Sequence, residues 1–240
     1  MSKPFKFKEF SVAHDKTAMK IGTDAVLLGA WCSLSNYPDT ILDVGSGTGV
    51  ISLMLAQRSD AMTIDAVEID GDAYEQTVAN FEQSPWGDRL FCYNASFTDF
   101  AEEMAEEEEH YDVIVSNPPF YTDSFETKDK ARNKARFTSS LSFERLILGV
   151  SKILSELGVF SVIIPFKEQD NFVALAAAYN LFLNTVCHVK GNKNSEIKRS
   201  LLSFSFEATD VKKELLVIEK ERHQYTDAYV NLTKKFYLKM

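Results

Sequence analysis

The sequence has few cysteines and no histidine pair at metal-binding spacing. Its three cysteines are Cys32, Cys92 and Cys187, and they form no CxxC pair. Its four histidines include no HxxxH spacing. These absences argue against a disulfide scaffold, a redox dithiol and a zinc site, so we expect no metal.

Long apolar runs are also missing. The longest apolar stretches, such as residues 158–165, are far shorter than the roughly 20 residues that a membrane helix needs. The first residues lack the apolar centre of a signal peptide. We therefore expect a soluble, cytoplasmic protein with no membrane partner, and the sequence gives no sign of an obligate protein partner.

The charge of the chain is unevenly distributed. The 240 residues are 45% hydrophobic and carry a net charge of -9, which taken alone argues against a polyanionic partner. Residues 59–112 hold sixteen acids and one base, a net of -15, which leaves +6 for the other residues. We expect the acidic run at 102–109 to lie away from any nucleic acid and the basic stretches to face it.

Strand and helix patterns alternate from residue 40 onward. Strands are predicted at 40–45, 63–69, 90–94, 111–116, 159–164 and 199–206, and helices at 50–58, 70–83, 142–157 and 167–179. Asp70 is expected to cap the second helix, and Gly158 to end the third. Because βα units with short turns build parallel sheets, we predict an α/β fold: a doubly wound, mostly parallel sheet with helices on both faces.

We predict a single domain spanning residues 1–240. Within it, residues 1–39 are an N-terminal extension, 40–206 the catalytic core, and 207–240 a C-terminal strand and tail. Thr23 or Asp24 is expected to cap a short helix in the extension.

A glycine-rich turn, Asp43-Val-Gly45-Ser-Gly47-Thr-Gly49, follows the first predicted strand. Glycine permits positive φ and lets a ligand approach the backbone closely. The GxGxG spacing differs from the GxGxxG of dinucleotide enzymes, and no lysine completes a P-loop, which disfavours NAD and ATP. Glu68 ends the second strand about 20 residues later, where an acid can accept two ribose hydroxyls.

Together the turn and this acid resemble the S-adenosyl-L-methionine site of class I methyltransferases. The resemblance implies a Rossmann-like, seven-stranded sheet. It places Gly45, Gly47 and Gly49 beside the methionine part of the cofactor, Glu68 on the ribose and Ile69 against the adenine. The remaining candidate cofactor-binding residues are Asp43, Ala95, Ser96 and Asn117.

One position departs from the family pattern. Family members commonly carry an Asp after the third strand to hold the adenine amine, whereas the corresponding run here is Asn94-Ala95-Ser96. Either Ser96 substitutes for that residue or Asp99 reaches in.

The sequence Asn117-Pro118-Pro119-Phe120 ends the fourth strand and resembles the [ND]PP[YFW] signature of methyltransferases that act on amino nitrogens. An adenine amine is a poor nucleophile because its lone pair is delocalised into the ring. If the Asn117 side-chain oxygen and the Pro118 carbonyl accept its two hydrogens, the lone pair is freed for attack. Pro119 rigidifies the turn, and Phe120 offers a stacking face for a flipped base. These four are the candidate catalytic residues.

Residues 10–31 closely resemble the N-terminal segment of the bacterial tRNA1(Val) adenine-37 N6-methyltransferases, the YfiC family. The likeness includes the glycine turn, NPPF, residues 135–142 and residues 225–237, and so covers nearly the whole chain. It implies methylation of N6 of adenine 37 in the anticodon loop of a valine tRNA. Two alternatives stay open: a guanine-N2 methyltransferase of ribosomal RNA, and a catalytically silent module that binds RNA or cofactor.

A basic loop follows NPPF and is placed beside the predicted active site. We expect it to contact tRNA phosphates, since each neutralised phosphate adds salt-dependent affinity. Its candidate RNA-binding residues are Lys128, Lys130, Arg132, Lys134 and Arg136. His14 and Lys20 are open candidates for contact with substrate or cofactor.

Overall fold

The computed structural model describes residues 3–17, 20–119 and 141–240. The strands in these ranges are β1 Phe5–Lys6, β2 Ser11–Val12, β3 Thr40–Val44, β4 Thr63–Val67, β5 Leu90–Tyr93, β6 Tyr111–Ser116, β7 Leu154–Pro165, β8 Phe182–Asn192, β9 Ile197–Ser205, β10 Lys212–Glu221 and β11 Gln224–Tyr225. The helices are α1 Thr23–Trp31, α2 Val50–Arg58, α3 Gly71–Glu82, α4 Phe97–Glu106, α5 Phe143–Ile153, α6 Gln169–Ala178 and α7 Asp227–Thr233. A short 3₁₀ helix at Phe166–Glu168 joins β7 to α6.

The central sheet has the order β11-β10-β8-β9-β7-β6-β3-β4-β5. Strands β3 to β7 are mutually parallel, whereas β9 is antiparallel to both of its neighbours, β7 and β8. The predicted doubly wound, mostly parallel sheet is confirmed. Strands β3 to β9 account for the seven expected strands, and β10 and β11 from the C-terminal segment extend the sheet to nine. Strands β1 and β2 form a separate ribbon.

Two apolar layers cover the sheet, as the alternation of side chains along each strand requires. Ile41 and Val113 point into a core with α1, α2 and the two terminal segments. Their neighbours Leu42 and Ile114 point into the opposite core with α4, α5 and α6. Helices therefore lie on both faces, as expected. In the described ranges, no helix is long and apolar enough to cross a membrane.

The helix predicted at 142–157 ends earlier than expected. Ser142 caps it, but it stops at Ile153, and Gly158 does not end it. Leu154 instead pairs with Tyr111 of β6, and the Ser155 hydroxyl donates to a carboxylate oxygen of Asp112 at 3.1 Å. Pairing with the start of β6 therefore draws this segment out of the helix and into β7.

The cap predicted for α1 is also wrong. Gly22 occupies the cap position, and no side chain makes the capping hydrogen bond. Asp24 lies in the first turn of the helix and accepts a hydrogen bond from Arg199 Nε at 2.8 Å. This ion pair ties the N-terminal extension to β9.

We expect Gly149→Ala to destabilise the protein by about 1–3 kcal/mol, because it overpacks the contact between α5 and α4. A Cβ at Gly149 would lie 2.5 Å from Cε1 of Phe97 and 3.2 Å from the Cβ of Ala101. Gly71→Ala is the matched control, since a Cβ at this first residue of α3 meets nothing within 4 Å. Urea unfolding measures both changes, and equal midpoints for the two variants would contradict the expected clash.

Candidate functional site

Parallel pairing in register aligns the carboxyl ends of four strands. The last paired row contains, in sheet order, Tyr93, Val67, Val44 and Ser116. The next residues along these strands are Asn94, Glu68, Gly45 and Asn117. The winding direction reverses between β3 and β6, and ligands of such sheets bind in the crevice at that point. The predicted cofactor turn and the NPP sequence therefore lie side by side.

The three glycines of the turn all have positive φ: 74° at Gly45, 58° at Gly47 and 73° at Gly49. Side chains other than glycine rarely adopt this conformation. At Gly49 a Cβ would also lie 2.6 Å from the Phe81 ring, whereas at Gly45 and Gly47 it would meet nothing within 4 Å. The first two glycines thus border open space that a ligand can fill, and the third permits close packing on α3.

Helix α3 holds the turn in this shape. Thr77 donates its hydroxyl proton to the Gly47 carbonyl at 2.9 Å, and the Asn80 amide donates to the Thr48 carbonyl at 2.9 Å. The sequence reasoning missed both residues. Their spacing of three places two polar side chains on one face of a helix, and this was the available signal.

The Glu68 carboxylate is buried against the turn. Its two oxygens accept from the Gly47 amide at 2.8 Å and from the Asp70 amide at 2.9 Å. Each oxygen keeps a second lone pair, which leaves the carboxylate able to accept further hydrogen bonds. The side chain of the following residue, Ile69, is 55% exposed. Asn94 fixes this corner by donating to the Glu68 carbonyl at 2.9 Å.

Asp43 lies behind the turn, in the core. One carboxylate oxygen accepts from the Ser52 amide at 3.2 Å and from its hydroxyl at 2.7 Å, which anchors α2 to β3. Within the described residues, the other oxygen has no hydrogen-bond partner. Burial raises the pKa of Asp43 to about 6, the Ser52 hydrogen bonds oppose this rise, and the Glu68 charge adds to it.

The residues after β5 form a helix cap. Ser96 accepts from the Asp99 amide at 3.2 Å, and its hydroxyl donates to the Asp99 carboxylate at 2.8 Å. Ser96 and Asp99, the two residues expected to hold the adenine amine, are therefore hydrogen-bonded to each other at the start of α4. Ala95 lies half-buried beside them.

The N-terminal extension crosses α3 next to the glycine turn. Asn80 accepts from the Ala13 amide and donates to the Ala13 carbonyl, both at 2.9 Å, and Gln76 accepts from the Lys16 amide at 3.3 Å. His14 Nδ1 is buried in this segment and has no hydrogen-bond partner among the residues described. Lys20 is exposed. Asn80 thus joins the extension and the turn through one side chain.

The NPP sequence leaves the sheet directly from β6. The buried Ser116 hydroxyl donates to the Val44 carbonyl at 3.0 Å, so β6 is tied to β3 just before the turn begins. Asn117 is half-buried, Pro118 is buried and Pro119 is exposed. The predicted residues Phe120, Lys128, Lys130, Arg132, Lys134 and Arg136 lie outside the described residues.

Sequence comparisons identify the family. The model described as Methyltransferase small domain matches residues 17–138. A tRNA1(Val) (adenine(37)-N6)-methyltransferase of Christiangramia forsetii is 54% identical over 239 residues, which are 100% of this chain and 99% of the relative. A relative of the same name from Flavobacterium johnsoniae is 55% identical over 237 residues, which are 98% of this chain and 100% of the relative. The chain belongs to the tRNA1(Val) (adenine(37)-N6)-methyltransferase family.

A solved structure agrees with the class I methyltransferase fold. It is described as a predicted O-methyltransferase from Agrobacterium tumefaciens, with a TM-score of 0.67 and 18% sequence identity. The match covers 89% of this chain and 96% of that one, and at this identity it shows the fold alone. The resemblance inferred from the glycine turn and NPPF is thus confirmed at the level of family and fold, and both support S-adenosylmethionine as cofactor.

The raised pKa of Asp43 predicts a pH-dependent stability. Between about pH 4 and 6 the folded state holds a proton that the unfolded state has lost, so the free energy of unfolding falls as pH rises through this window. A shift of roughly two units corresponds to about 3 kcal/mol. Asp43→Asn removes this titration, so the variant should gain stability relative to the wild type between pH 4 and 7. Denaturant unfolding at several pH values measures the gain, and a constant difference would contradict it.

Proposed function

We propose that this chain transfers a methyl group from S-adenosylmethionine to N6 of adenine 37 in tRNA1(Val). The supporting observation is the position of Asn117-Pro118. The last residues that pair between β3 and β6 are Val44 and Ser116, so Asn117 follows β6 where Gly45, the first glycine of the turn, follows β3. Relatives of that name match nearly the full length of the chain at 54% and 55% identity. The site thus provides a cofactor cradle and an amine-binding turn on neighbouring strands.

The residues of the cradle suit the cofactor. The open space beside Gly45 and Gly47 accommodates its methionine part, while the lone pairs left on Glu68 can accept ribose hydroxyls. The exposed side chain of Ile69 offers an apolar face for the adenine, and Ala95 and Ser96 follow the neighbouring strand β5 at the same edge of the sheet. When bound, S-adenosylmethionine supplies an electrophilic methyl group on a sulfonium.

The NPP turn orients the acceptor amine. The Asn117 side-chain oxygen accepts one N6 hydrogen and the Pro118 carbonyl accepts the other, which turns the nitrogen lone pair out of conjugation with the ring. The burial of Pro118 holds its carbonyl in place, and the tie from Ser116 to β3 fixes the start of the turn. Positioning and electrostatic stabilisation then carry the transfer without a strong general base. The bond from N6 to the methyl carbon would form as the bond from that carbon to the sulfonium breaks, S-adenosylhomocysteine would leave, and the extra proton on N6 would pass to solvent. Phe120 supplies the stacking face in this proposal.

The tRNA approaches from the carboxyl edge of the sheet. The basic loop that begins beyond NPPF is proposed to contact its phosphates. Its members are Lys128, Lys130, Arg132, Lys134 and Arg136. The acidic run lies elsewhere, because residues 107–109 directly precede β6 and therefore lie at the amino edge of the sheet.

The direct test is incubation of the protein with labelled S-adenosylmethionine and unmodified total tRNA and ribosomal RNA. Nucleoside mass spectrometry should then find N6-methyladenosine in tRNA1(Val), at adenine 37. N2-methylguanosine as the product, or no methylated nucleoside at all, would refute the proposal.

Asn117→Ala should lower kcat by about 100-fold or more, the size of effect seen when one group that stabilises a transition state is removed. Cofactor affinity, measured by calorimetry, should stay close to that of the wild type. Asn36→Ala is the control, because Asn36 is an exposed amide before the amino end of β3, and the change removes only its solvent-exposed hydrogen bond to the Asp112 carbonyl. A large loss of cofactor affinity in Asn117→Ala would show that its role has been misassigned.

Glu68→Gln should raise the Kd for S-adenosylmethionine by roughly tenfold or more, since hydrogen bonds to charged groups contribute about 1.5–3 kcal/mol. The glutamine keeps one acceptor oxygen, which can still receive the Gly47 amide. Calorimetry measures the Kd, and circular dichroism checks that the variant is folded. An unchanged Kd in a folded variant would remove Glu68 from the cofactor site.

A further inference from the structure

A second group of residues reaches the same edge of the sheet from β7 and β9. Strand β7 is parallel to β6, so the residues after Pro165 emerge at the edge that carries Asn117. Strand β9 is antiparallel to β7 and begins at that edge, where Arg199 pairs with Pro165. Continuing this register by one residue places Phe166 opposite Lys198. Neither residue has a role in the proposed transfer.

Phe166 is an aromatic side chain held in place but left 39% exposed. Its ring meets the His188 ring edge to face, with centroids 5.1 Å apart at 86°. Gln169 Oε1 lies 2.9 Å from His188 Nε2 and accepts the Ser200 hydroxyl at 2.7 Å, so the histidine is itself fixed. The phenyl ring is therefore supported by His188 while part of its surface stays open to solvent.

Two lysines adjoin this ring, Lys167 along the chain and Lys198 through the strand register. Lys167 and Lys198 are both exposed, and Lys167 is 3.7 Å from Glu168 in a solvent-exposed pair of little energetic weight. The hairpin 190–199 between β8 and β9 holds three lysines, the Asp24-paired Arg199 and one acid, Glu196. An exposed aromatic flanked by lysines is the combination that proteins use to bind single-stranded RNA, with bases stacking on the ring and phosphates meeting the charges.

The spacing to the NPP turn suits a neighbouring nucleotide. Ser116 of β6 pairs with Val162 of β7. Asn117 lies one residue beyond this pair along β6, and Phe166 lies four residues beyond it along β7. Three residues at about 3.3 Å, combined with one interstrand spacing of about 4.8 Å, give a separation of roughly 11 Å between their backbones. A nucleotide next to the target base can span this distance once the loop is unstacked.

We infer that Phe166, with Lys167 and Lys198, forms a base-stacking and phosphate-binding surface for a nucleotide that flanks the target adenine. This inference rests on the proposed function, because it assigns a further part of the tRNA to the same edge. The Phe166 ring stacks on the neighbouring base and so holds the anticodon loop open at adenine 37. The two lysines neutralise the adjacent phosphates.

Steady-state methylation of an unmodified tRNA1(Val) transcript tests the stacking role. Phe166→Ala and Phe166→Leu should raise KM for tRNA by about tenfold, as expected for the loss of one base–aromatic stack, with a smaller change in kcat. Phe166→Trp should retain wild-type KM. Leucine keeps an apolar contact with His188 but offers no ring. Comparing Phe166→Leu with Phe166→Trp therefore separates the stacking of a base from packing against His188. Tyr37→Ala, which removes a 91% exposed aromatic preceding the amino end of β3, should leave KM unchanged.

A tRNA1(Val) anticodon stem-loop carrying 2-aminopurine on either side of adenine 37 reports stacking directly. Wild-type protein should quench the probe on one side, and Phe166→Leu should abolish that quenching. Activity of the wild type on the unsubstituted transcript is the reference for both measurements. If the wild type does not methylate adenine 37, the proposed function fails. If it does, and neither KM nor quenching responds to Phe166→Leu, the inference alone is overturned.

Charge reversal tests the lysines. Lys198→Glu should weaken tRNA binding and flatten the dependence of Kd on salt concentration, because fewer counterions are released. Lys152→Glu is the matched control, since this exposed lysine lies at the last turn of α5, within 3.8 Å of Glu102. An unchanged salt slope for Lys198→Glu, or equal effects of both reversals, would reject Lys198 as a phosphate contact.

Discussion

The pairing of β3 with β4 and β6 in one register is the constraint on which the site depends. Val44 faces Val67 on one side and Ser116 on the other, so Gly45, Glu68 and Asn117 emerge level with one another. A slip of one residue would move every side chain of the strand to the other face of the sheet. Because both faces are covered by close-packed apolar layers, each side chain would then meet a layer packed around a residue of a different shape. Such a slip is costly, so the fold enforces the alignment on which the proposed chemistry depends.

The cofactor turn is held from outside the sheet as well. Asn80 of α3 bonds the Thr48 carbonyl and both backbone groups of Ala13, so one side chain links the turn to the N-terminal extension. Thr77 adds a bond to the Gly47 carbonyl one turn of helix earlier. A glycine turn is intrinsically adaptable, and these bonds select one of its conformations. The extension therefore helps to support the proposed cofactor site, although it precedes the core in sequence.

The fold class could be predicted, and candidate site residues could be named, because their signals are local. Strands such as β3 and β6 are short apolar runs ending in glycine or proline, and the glycine turn and NPP have fixed spacings. Strand β8 was missed because polar residues interrupt it. The end of α5 was misplaced because it depends on pairing between Leu154 and Tyr111, which are distant in sequence. Likewise, Asp24 does not cap α1 as expected, because its side chain pairs with Arg199, which is 175 residues away.

Strand direction explains how an acidic protein can present a basic surface to RNA, as the proposed function requires. The acidic segment 59–112 spans β4, α3, β5 and α4, which lie at one side of the sheet. Helix α4 starts after the carboxyl end of β5 and runs back to the amino end of β6, so its glutamates concentrate far from Asn117. The β8–β9 hairpin, with its lysines, emerges at the carboxyl edge, the edge that carries Asn117. Since charges separated by more than about 10 Å are largely screened at physiological salt, the local basic surface and not the net charge determines the encounter with RNA.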